Sequence, residues 1–291
     1  MRLSGTLYKH NQVITMHFTE AIRQFIRGLI GYRNPVYSAT SSLINSLRII
    51  QKEGFSTFKK IRHIQQSDDC NSGCYELRLS NLKFPFYVRP CTSDVGTVIH
   101  TIIREEYGHF SFPEHLEWMI DAGAYIGDTS AYFLSKFPEL KIVALEPTPA
   151  SYELTVKNLD PYNDRVFVEN VGLFYYDGRV SFSGDNTGAG IVDSGSLDSS
   201  SIEITCKSIP SLLSSYGIER LSLLKLDIEG GEEAIFENNP EEWLDRVDIL
   251  VIETHGDHIE KLMKNVLTKN GFKIDRYRSV WFCQKMTKIR L

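Results

Sequence analysis

Acids, glycines and one histidine recur at the ends of short apolar runs in this chain, and their order suggests a particular chemistry. The first run closes as Ile120-Asp121-Ala122-Gly123-Ala124-Tyr125-Ile126-Gly127-Asp128. Gly123 and Gly127 let a backbone turn tightly and come close to a ligand. Their G-x-x-x-G spacing is neither the dinucleotide fingerprint nor a P-loop. Asp121, just before the turn, suits a ligand with a cationic group better than a pyrophosphate. Glu146 ends the next run, where an acid can accept both hydroxyls of a ribose. Asn170 ends the third, within reach of an adenine edge. Taken singly, each also reads as an ordinary turn or a solvated strand end. Together they describe an adenosine site whose remaining part is cationic, and S-adenosyl-L-methionine has that chemistry.

Two later runs, LLKLDIEGGE and ILVIETH, bring Asp227, Glu229, Glu253 and His255 to the same edge. A methyl acceptor would meet the donor there. Methyl transfer from a sulfonium is an in-line displacement, so positioning supplies much of the acceleration. A hydroxyl needs to lose its proton, which makes His255 the candidate base, helped by Asp227 or Glu253. His258 reads as a helix-surface residue. The same acids and imidazole are compatible with Mg²⁺, but nothing in their spacing demands a metal. Cys70-x-x-x-Cys74 near His63 reads as a loop with free thiols rather than a zinc site.

Such residues must be carried by alternating strands and helices. The patterning predicts strands at 118–122, 141–146, 165–171, 221–227 and 247–253. Helices are expected at 128–137, 150–159, 232–237 and 258–268, and an antiparallel pair at 272–277 and 280–284. Strands apolar nearly throughout, such as IVALE and ILVIE, fit a parallel sheet covered on both faces. In such a sheet ligands bind at the carboxyl ends of the strands. Residues 75–89 read as a hairpin or a strand pair, and 172–206, rich in Gly, Ser and Asp, as a strand plus loops near the mouth of the site.

The chain is 291 residues long, 42% hydrophobic and 24% charged, with net charge −5. That composition supports a full core and excludes global disorder. The charge is uneven. Residues 1–65 hold ten Lys/Arg against Glu20 and Glu53, a net +8, leaving −13 for the rest. The acidic part argues against a nucleic-acid partner. No apolar run reaches the ~18 residues of a membrane span, no signal peptide is recognisable, and five scattered cysteines do not read as a disulfide framework. A cytoplasmic protein is the default expectation. The basic amphipathic stretch 18–30 has three readings: packing on the catalytic domain or a second subunit of a homodimer, weak contact with an anionic membrane surface, or guidance of an acidic substrate.

The order IDAGAYIGDTS, VALEPTPASYELTVKNL, LLKLDIEGGEEAIFE and ILVIETH resembles the FkbM-type methyltransferases. Upstream, YVRPCTSDVGTVIHTIIREEY resembles that family's lead-in. The likeness covers about residues 86–285. One departure is Lys207-Ser208-Ile209-Pro210, where relatives often carry a Leu-Asp pair. The resemblance implies a class I methyltransferase: a Rossmann-like α/β sheet, mostly parallel with a C-terminal antiparallel pair, after an N-terminal helical segment. The expected division is a basic helical cap over 1–75 and the catalytic domain over 76–291. It further implies O-methylation of a sugar, glycan or related natural product, with Asp94 and Tyr107 closing over the donor. Two alternatives stay open: a non-catalytic donor-binding module of the same fold, and an NAD(P)-dependent oxidoreductase.

Overall fold

In the computed structural model of the protein, residues 35–185, 188–192 and 202–286 are described. The amphipathic stretch 18–30 lies outside them. The chain divides into two compact units, Met1–His63 and Ile64–Leu291. Helix α1 (Pro35–Gln65) lies in the segment expected to be a basic helical cap and is interrupted at Gly54, whose φ is +84°. No helix among the described residues is long and apolar enough to cross a membrane.

The second unit opens with the hairpin β1 (Tyr75–Leu77) and β2 (Phe86–Val88), paired antiparallel with Tyr75 opposite Val88. Continued outward, that register puts residue 70 within two positions of Cys91. Cys70 and Cys91 form a disulfide, which corrects the reading of Cys70 as a free thiol. The partner was hidden because hairpin pairing, not sequence proximity, supplies it. Cys74, Cys206 and Cys283 are free. After β2 comes α2 (Asp94–Val98), extended by a π-helical turn over Ile99–Ile103. A 3₁₀ turn follows over Glu106–His109.

The central sheet has seven strands: β3 (Trp118–Ala122), β4 (Lys141–Leu145), β5 (Val166–Glu169), β10 (Leu221–Leu226), β11 (Val247–Glu253), β12 (Phe272–Tyr277) and β13 (Val280–Lys285). Their order is β12-β13-β11-β10-β3-β4-β5. β5, β4, β3, β10 and β11 run parallel, while β13 is antiparallel to both β11 and β12. The order reverses between β3 and β10, the switch point where ligands bind in open α/β sheets. Ile120, Val143, Leu224, Leu250 and Ile252 are buried in this sheet, as expected for strands covered on both faces. On one face they join Leu212, Leu213, Phe236, Met263 and Leu267 from helices α5 (Ile209–Ser215), α6 (Glu232–Glu237) and α7 (Asp257–Lys269) in one cluster. The remaining helices, α3 (Asp128–Lys136) and α4 (Pro149–Leu159), follow β3 and β4.

The segment read as a strand plus loops forms a sheet of its own, in the order β6-β9-β7-β8. Its strands are β6 (Gly172–Leu173), β7 (Gly178–Asp185), β8 (Gly188–Val192) and β9 (Ile202–Lys207). Among the described side chains, Val180, Ile204 and Cys206 form a core cluster, with Phe174 packed against them.

The tightest joint in the sheet is between β3 and β10. A Cβ added to Gly123 would lie 1.9 Å from the Asp227 carbonyl oxygen, and Gly123 has φ +78°. At Gly127, φ +81°, an added Cβ would meet only the Leu159 side chain, at 3.0 Å. Backbone cannot yield as a side chain can. Gly123→Ala is therefore expected to cost ~2 kcal/mol or more from conformation and clash together, and clearly more than Gly127→Ala. Thermal or denaturant unfolding of the two variants checks this ranking.

Candidate active site

The floor of the site is the turn from β3 into α3. Gly123 and Ala124 donate their N–H groups to the Leu145 carbonyl at 3.1 and 2.9 Å, which ties the turn to the end of β4. Tyr125 takes φ +52° without being glycine. Helix α4 holds the turn from outside. Thr155 Oγ1 donates to the Tyr125 carbonyl at 2.6 Å, and Asn158 Nδ2 to the Ile126 carbonyl at 2.8 Å. Asn158 also exchanges hydrogen bonds with the Tyr87 backbone of β2, at 2.7 and 3.0 Å. Buried backbone groups need such partners, and the segment PTPASYELTVKNL supplies them.

Beneath the turn sits a charge cluster that strand patterning did not announce. Asp121 is fully buried. Its Oδ2 accepts from Ser130 Oγ at 2.6 Å, and its Oδ1 lies 3.5 Å from Lys225 Nζ without a hydrogen bond. Asp121 therefore supports the turn from below and does not open to solvent. Lys225, also buried, donates to the Gly123 carbonyl at 2.7 Å and lies 3.4 Å from Asp227 Oδ2. Burial works against the ammonium, but Asp227 and Asp121 outweigh it and hold its pKa well above the ordinary lysine value. The sequence signal was a lone lysine inside the apolar run LLKL.

Glu146 lies on the other side of the turn, nearly buried. Its two oxygens accept the N–H groups of Tyr125 and Thr148, each at 2.8 Å. Burial raises its pKa, against the lowering effect of those donors. Asn170 spends its amide donors on the Glu146 and Pro147 carbonyls, at 2.9 and 3.0 Å, and so braces the end of β4. Asp94 is consumed by the Arg89 fork, with Nε to Oδ2 at 2.9 Å and Nη2 to Oδ1 at 3.0 Å. Arg89 also lies over the Tyr125 ring, 5.6 Å from its centroid. Next to Asp94, Ser93 Oγ and Tyr125 Oη are 2.9 Å apart. Burial pushes the Tyr125 hydroxyl up to about 12. Tyr107 is buried with its hydroxyl 3.4 Å from Thr129 Oγ1 on α3. The lead-in is thus fastened directly to the glycine turn and the helix it starts.

On the β10–β11 side, a ring of carboxylates surrounds His255. Glu232, which starts α6 and is fully buried, accepts the Ile228 and Gly230 N–H groups at 3.0 and 2.8 Å. It closes the turn that puts Glu229 at φ +52° and Gly230 at φ +100°. His255 Nδ1 is 3.3 Å from Glu232 Oε1, and its Nε2 is 3.3 Å from Glu229 Oε2 and 3.9 Å from Asp227 Oδ1. The Glu232 hydrogen bond, reinforced by Glu229 and Asp227, raises the imidazole pKa to about 9 against burial. At neutral pH His255 is therefore a cation, bonded through Nδ1 to Glu232 and facing Glu229 and Asp227 through Nε2. Asp227, Glu229 and His255 offer ligand atoms within 4.8 Å of one another, which a divalent cation could share once the imidazole has lost its proton. Glu253, half-buried, has a pKa raised by burial and then by the charge of Asp227. His258 pairs with Glu233 at 3.0 Å on the exposed side.

Sequence reading also passed over Glu106. It opens the 3₁₀ turn whose Tyr107 reaches α3 and whose His109 stacks on Tyr277, with ring centroids 3.6 Å apart. Burial first, then Glu253 and Asp227, raise its pKa to about 7, with Arg278 and Arg104 opposing. A solvent-facing glutamate and this one look alike in EEY.

The His255–Glu232 pair has a testable consequence. Glu232→Gln should bring the imidazole midpoint down from about 9 toward the ordinary histidine value, as read by NMR titration of the ring. A raised histidine pKa stabilises the fold fully below the unfolded value of ~6.5 and ceases to do so as pH rises through the folded value. The part of wild type's stability advantage over Glu232→Gln that comes from this charge should accordingly shrink as pH rises from ~6.5 and be lost by about 9.

With this geometry in hand, comparison with known proteins is consistent. The family model of the methyltransferase FkbM domain matches residues 121–274, more than half of the chain. The methyltransferase sdnD of Sordaria araneosa is 28% identical over 206 residues, covering 56% of this chain and 76% of that protein. Methyltransferase 1 of Beauveria bassiana (strain ARSEF 2860) is 24% identical over 225 residues, covering 68% and 89%. Among solved structures, the precorrin-6y C5,15-methyltransferase of Geobacter metallireducens GS-15 aligns over 59% of this chain and 81% of its own, with 14% identity and a TM-score of 0.37. Strand order, switch point and family match lead to one conclusion: the chain belongs to the FkbM methyltransferase family, on a class I methyltransferase fold.

Proposed function

We infer that the protein is an S-adenosyl-L-methionine-dependent O-methyltransferase acting on a hydroxyl of a sugar, glycan or related natural product. The observation that carries this reading is the glycine turn at the β3–β10 switch point, flanked by Glu146 on one side and by Asp227 and His255 on the other. The residues fit such a donor. Gly123 and Gly127 allow the tight turn that brings backbone to the strand ends, their side-chain positions being taken by the Asp227 carbonyl and Leu159. Glu146 keeps oxygens at the end of β4 for a ribose, and Asn170 braces that strand end through the Glu146 and Pro147 carbonyls. Asp121 acts from under the turn, and Asp94 and Tyr107 hold the lead-in over it. An edge rich in carboxylates suits a cationic ligand and disfavours a pyrophosphate. The catalytic part lies wholly in the second unit.

The donor, when bound, supplies an activated methyl group; the chain supplies placement and proton handling. His255 and Asp227 are the groups proposed to meet the acceptor hydroxyl. Because Glu232 holds His255 protonated at neutral pH, His255 acts as a base only after giving up that proton. Its use as the base predicts a rate that climbs toward about pH 9 and levels off above it. Metal is not needed by this scheme, and exhaustive chelation is expected to leave turnover unchanged.

The test begins with a thermal-shift panel. S-adenosylmethionine and S-adenosylhomocysteine should stabilise the protein, whereas NAD and ATP should not. Glu146→Ala should weaken S-adenosylhomocysteine binding about tenfold or more, the effect of losing a hydrogen-bonded carboxylate. Labelled methyl transfer to a panel of hydroxylated saccharides then tests the acceptor class. Stabilisation by NAD alone would overturn the reading in favour of an oxidoreductase. Donor binding with no transfer to any hydroxyl would favour a binding module.

A further inference from the structure

Lys225 has a role that neither its position in a strand nor the family match assigns. Its ammonium is buried at the switch point and has three partners at once. It donates to the Gly123 carbonyl at 2.7 Å, stands 3.5 Å from Asp121 Oδ1 and stands 3.4 Å from Asp227 Oδ2. The Ala122 carbonyl is a fourth contact, at 3.4 Å. These partners belong to different functional pieces: the glycine turn after β3, and the acid that ends β10. Glu146 stands on β4, on the far side of β3 from β10. A ligand whose ribose is read by Glu146 therefore runs across the glycine turn toward Asp227. Two hydrogen-bond acceptors lie at that joint, the Gly123 carbonyl and the Asp227 carboxylate, and Lys225 touches both.

We propose that Lys225 is a positioning residue that locks the Gly123 carbonyl and the Asp227 carboxylate into one unit, and that this unit reads the cationic amino-acid end of the donor. The proposal rests on the donor reading above. A residue that merely stabilised the sheet would affect every ligand of the site alike. A residue that sets this unit affects only ligands with an amino-acid tail.

The experiment uses two probes on the full chain, S-adenosylhomocysteine and 5′-methylthioadenosine. They share the adenosine and sulfur, and only the first carries the amino-acid end. Lys225→Met removes the ammonium but leaves Asp121 buried without its counter-charge, which endangers the fold. Lys225→Met with Asp121→Asn neutralises both buried groups together, and Asp227→Asn, at a part-exposed position, probes the other end of the link. Calorimetric affinities are the readout. The expected result is a loss of about tenfold or more for S-adenosylhomocysteine, the scale of a lost charged hydrogen bond, in both the double variant and Asp227→Asn. Methylthioadenosine should bind all forms within about twofold. Proportional losses for both ligands would make Lys225 purely structural and overturn the proposal, as would unchanged affinities. A wild-type protein that binds neither probe overturns the donor reading itself, and is distinguished by failing before any substitution is made.

Discussion

A buried ammonium between two carboxylates is a costly thing to keep in a sheet. Removing Lys225 and Asp121 from water costs several kcal/mol per ion, and their attraction across 3.5 Å repays this only with further hydrogen bonds in place. Those bonds exist. Ser130 serves Asp121, and the Gly123 carbonyl serves Lys225. A well-packed apolar pair would stabilise β3 and β10 equally well or better, so stability alone does not account for the arrangement. What the ion pair adds is a fixed relation between two strand ends, because neither charge can leave its partner without entering an apolar core.

The backbone obeys the same constraint. The Asp227 carbonyl presses so closely on Gly123 that no side chain fits between them. Asp227 N–H in turn donates to the Ala122 carbonyl at 3.2 Å. The turn after β10 then bends sharply, with Glu229 and Gly230 both in the left-handed region, and Glu232 closes it by accepting two backbone N–H groups. The glycine turn, Asp227 and the His255 ring are thus successive parts of one hydrogen-bonded edge. Moving any one of them disturbs the next.

Much of this was legible in the sequence, and the boundary of legibility has a physical basis. Strand ends were readable because a residue that stops an apolar run sits where the sheet meets solvent. Gly123, Gly127, Glu146, Asp227 and His255 all fall at that edge. What patterning cannot distinguish is which way a polar residue faces. Asp121 looks like a ligand contact by type and place, yet it is buried under the turn. Lys225 and Glu232 look like ordinary charges and are buried linchpins. Asn170 looks like a reader of bases and spends its donors on its own backbone. The second sheet was hard to read because its strands are interleaved with Gly, Ser and Asp, and pairing of backbone between β7, β8 and β9 leaves little pattern in such a sequence. The disulfide escaped because its partners meet only after a hairpin forms.

Charge along the edge bears on how a proton would leave under the proposed reaction. Transfer of a methyl group from a sulfonium to a hydroxyl releases one proton for each turnover. A lone histidine would be its natural acceptor, yet His255 already holds one at neutral pH, bound by Glu232, Glu229 and Asp227. Around it stand acids that burial and mutual repulsion have pushed upward. Glu106 reaches about 7, and Glu229 and Glu253 are raised as well. Groups this close titrate as a set, and the apparent pKa values belong to the set rather than to one member. His255 can therefore take the released proton only after losing the one it already holds, toward about pH 9. Its positive charge is what lets so many carboxylates crowd one edge. The same crowding that keeps the imidazole charged thus moves its use as a base to high pH.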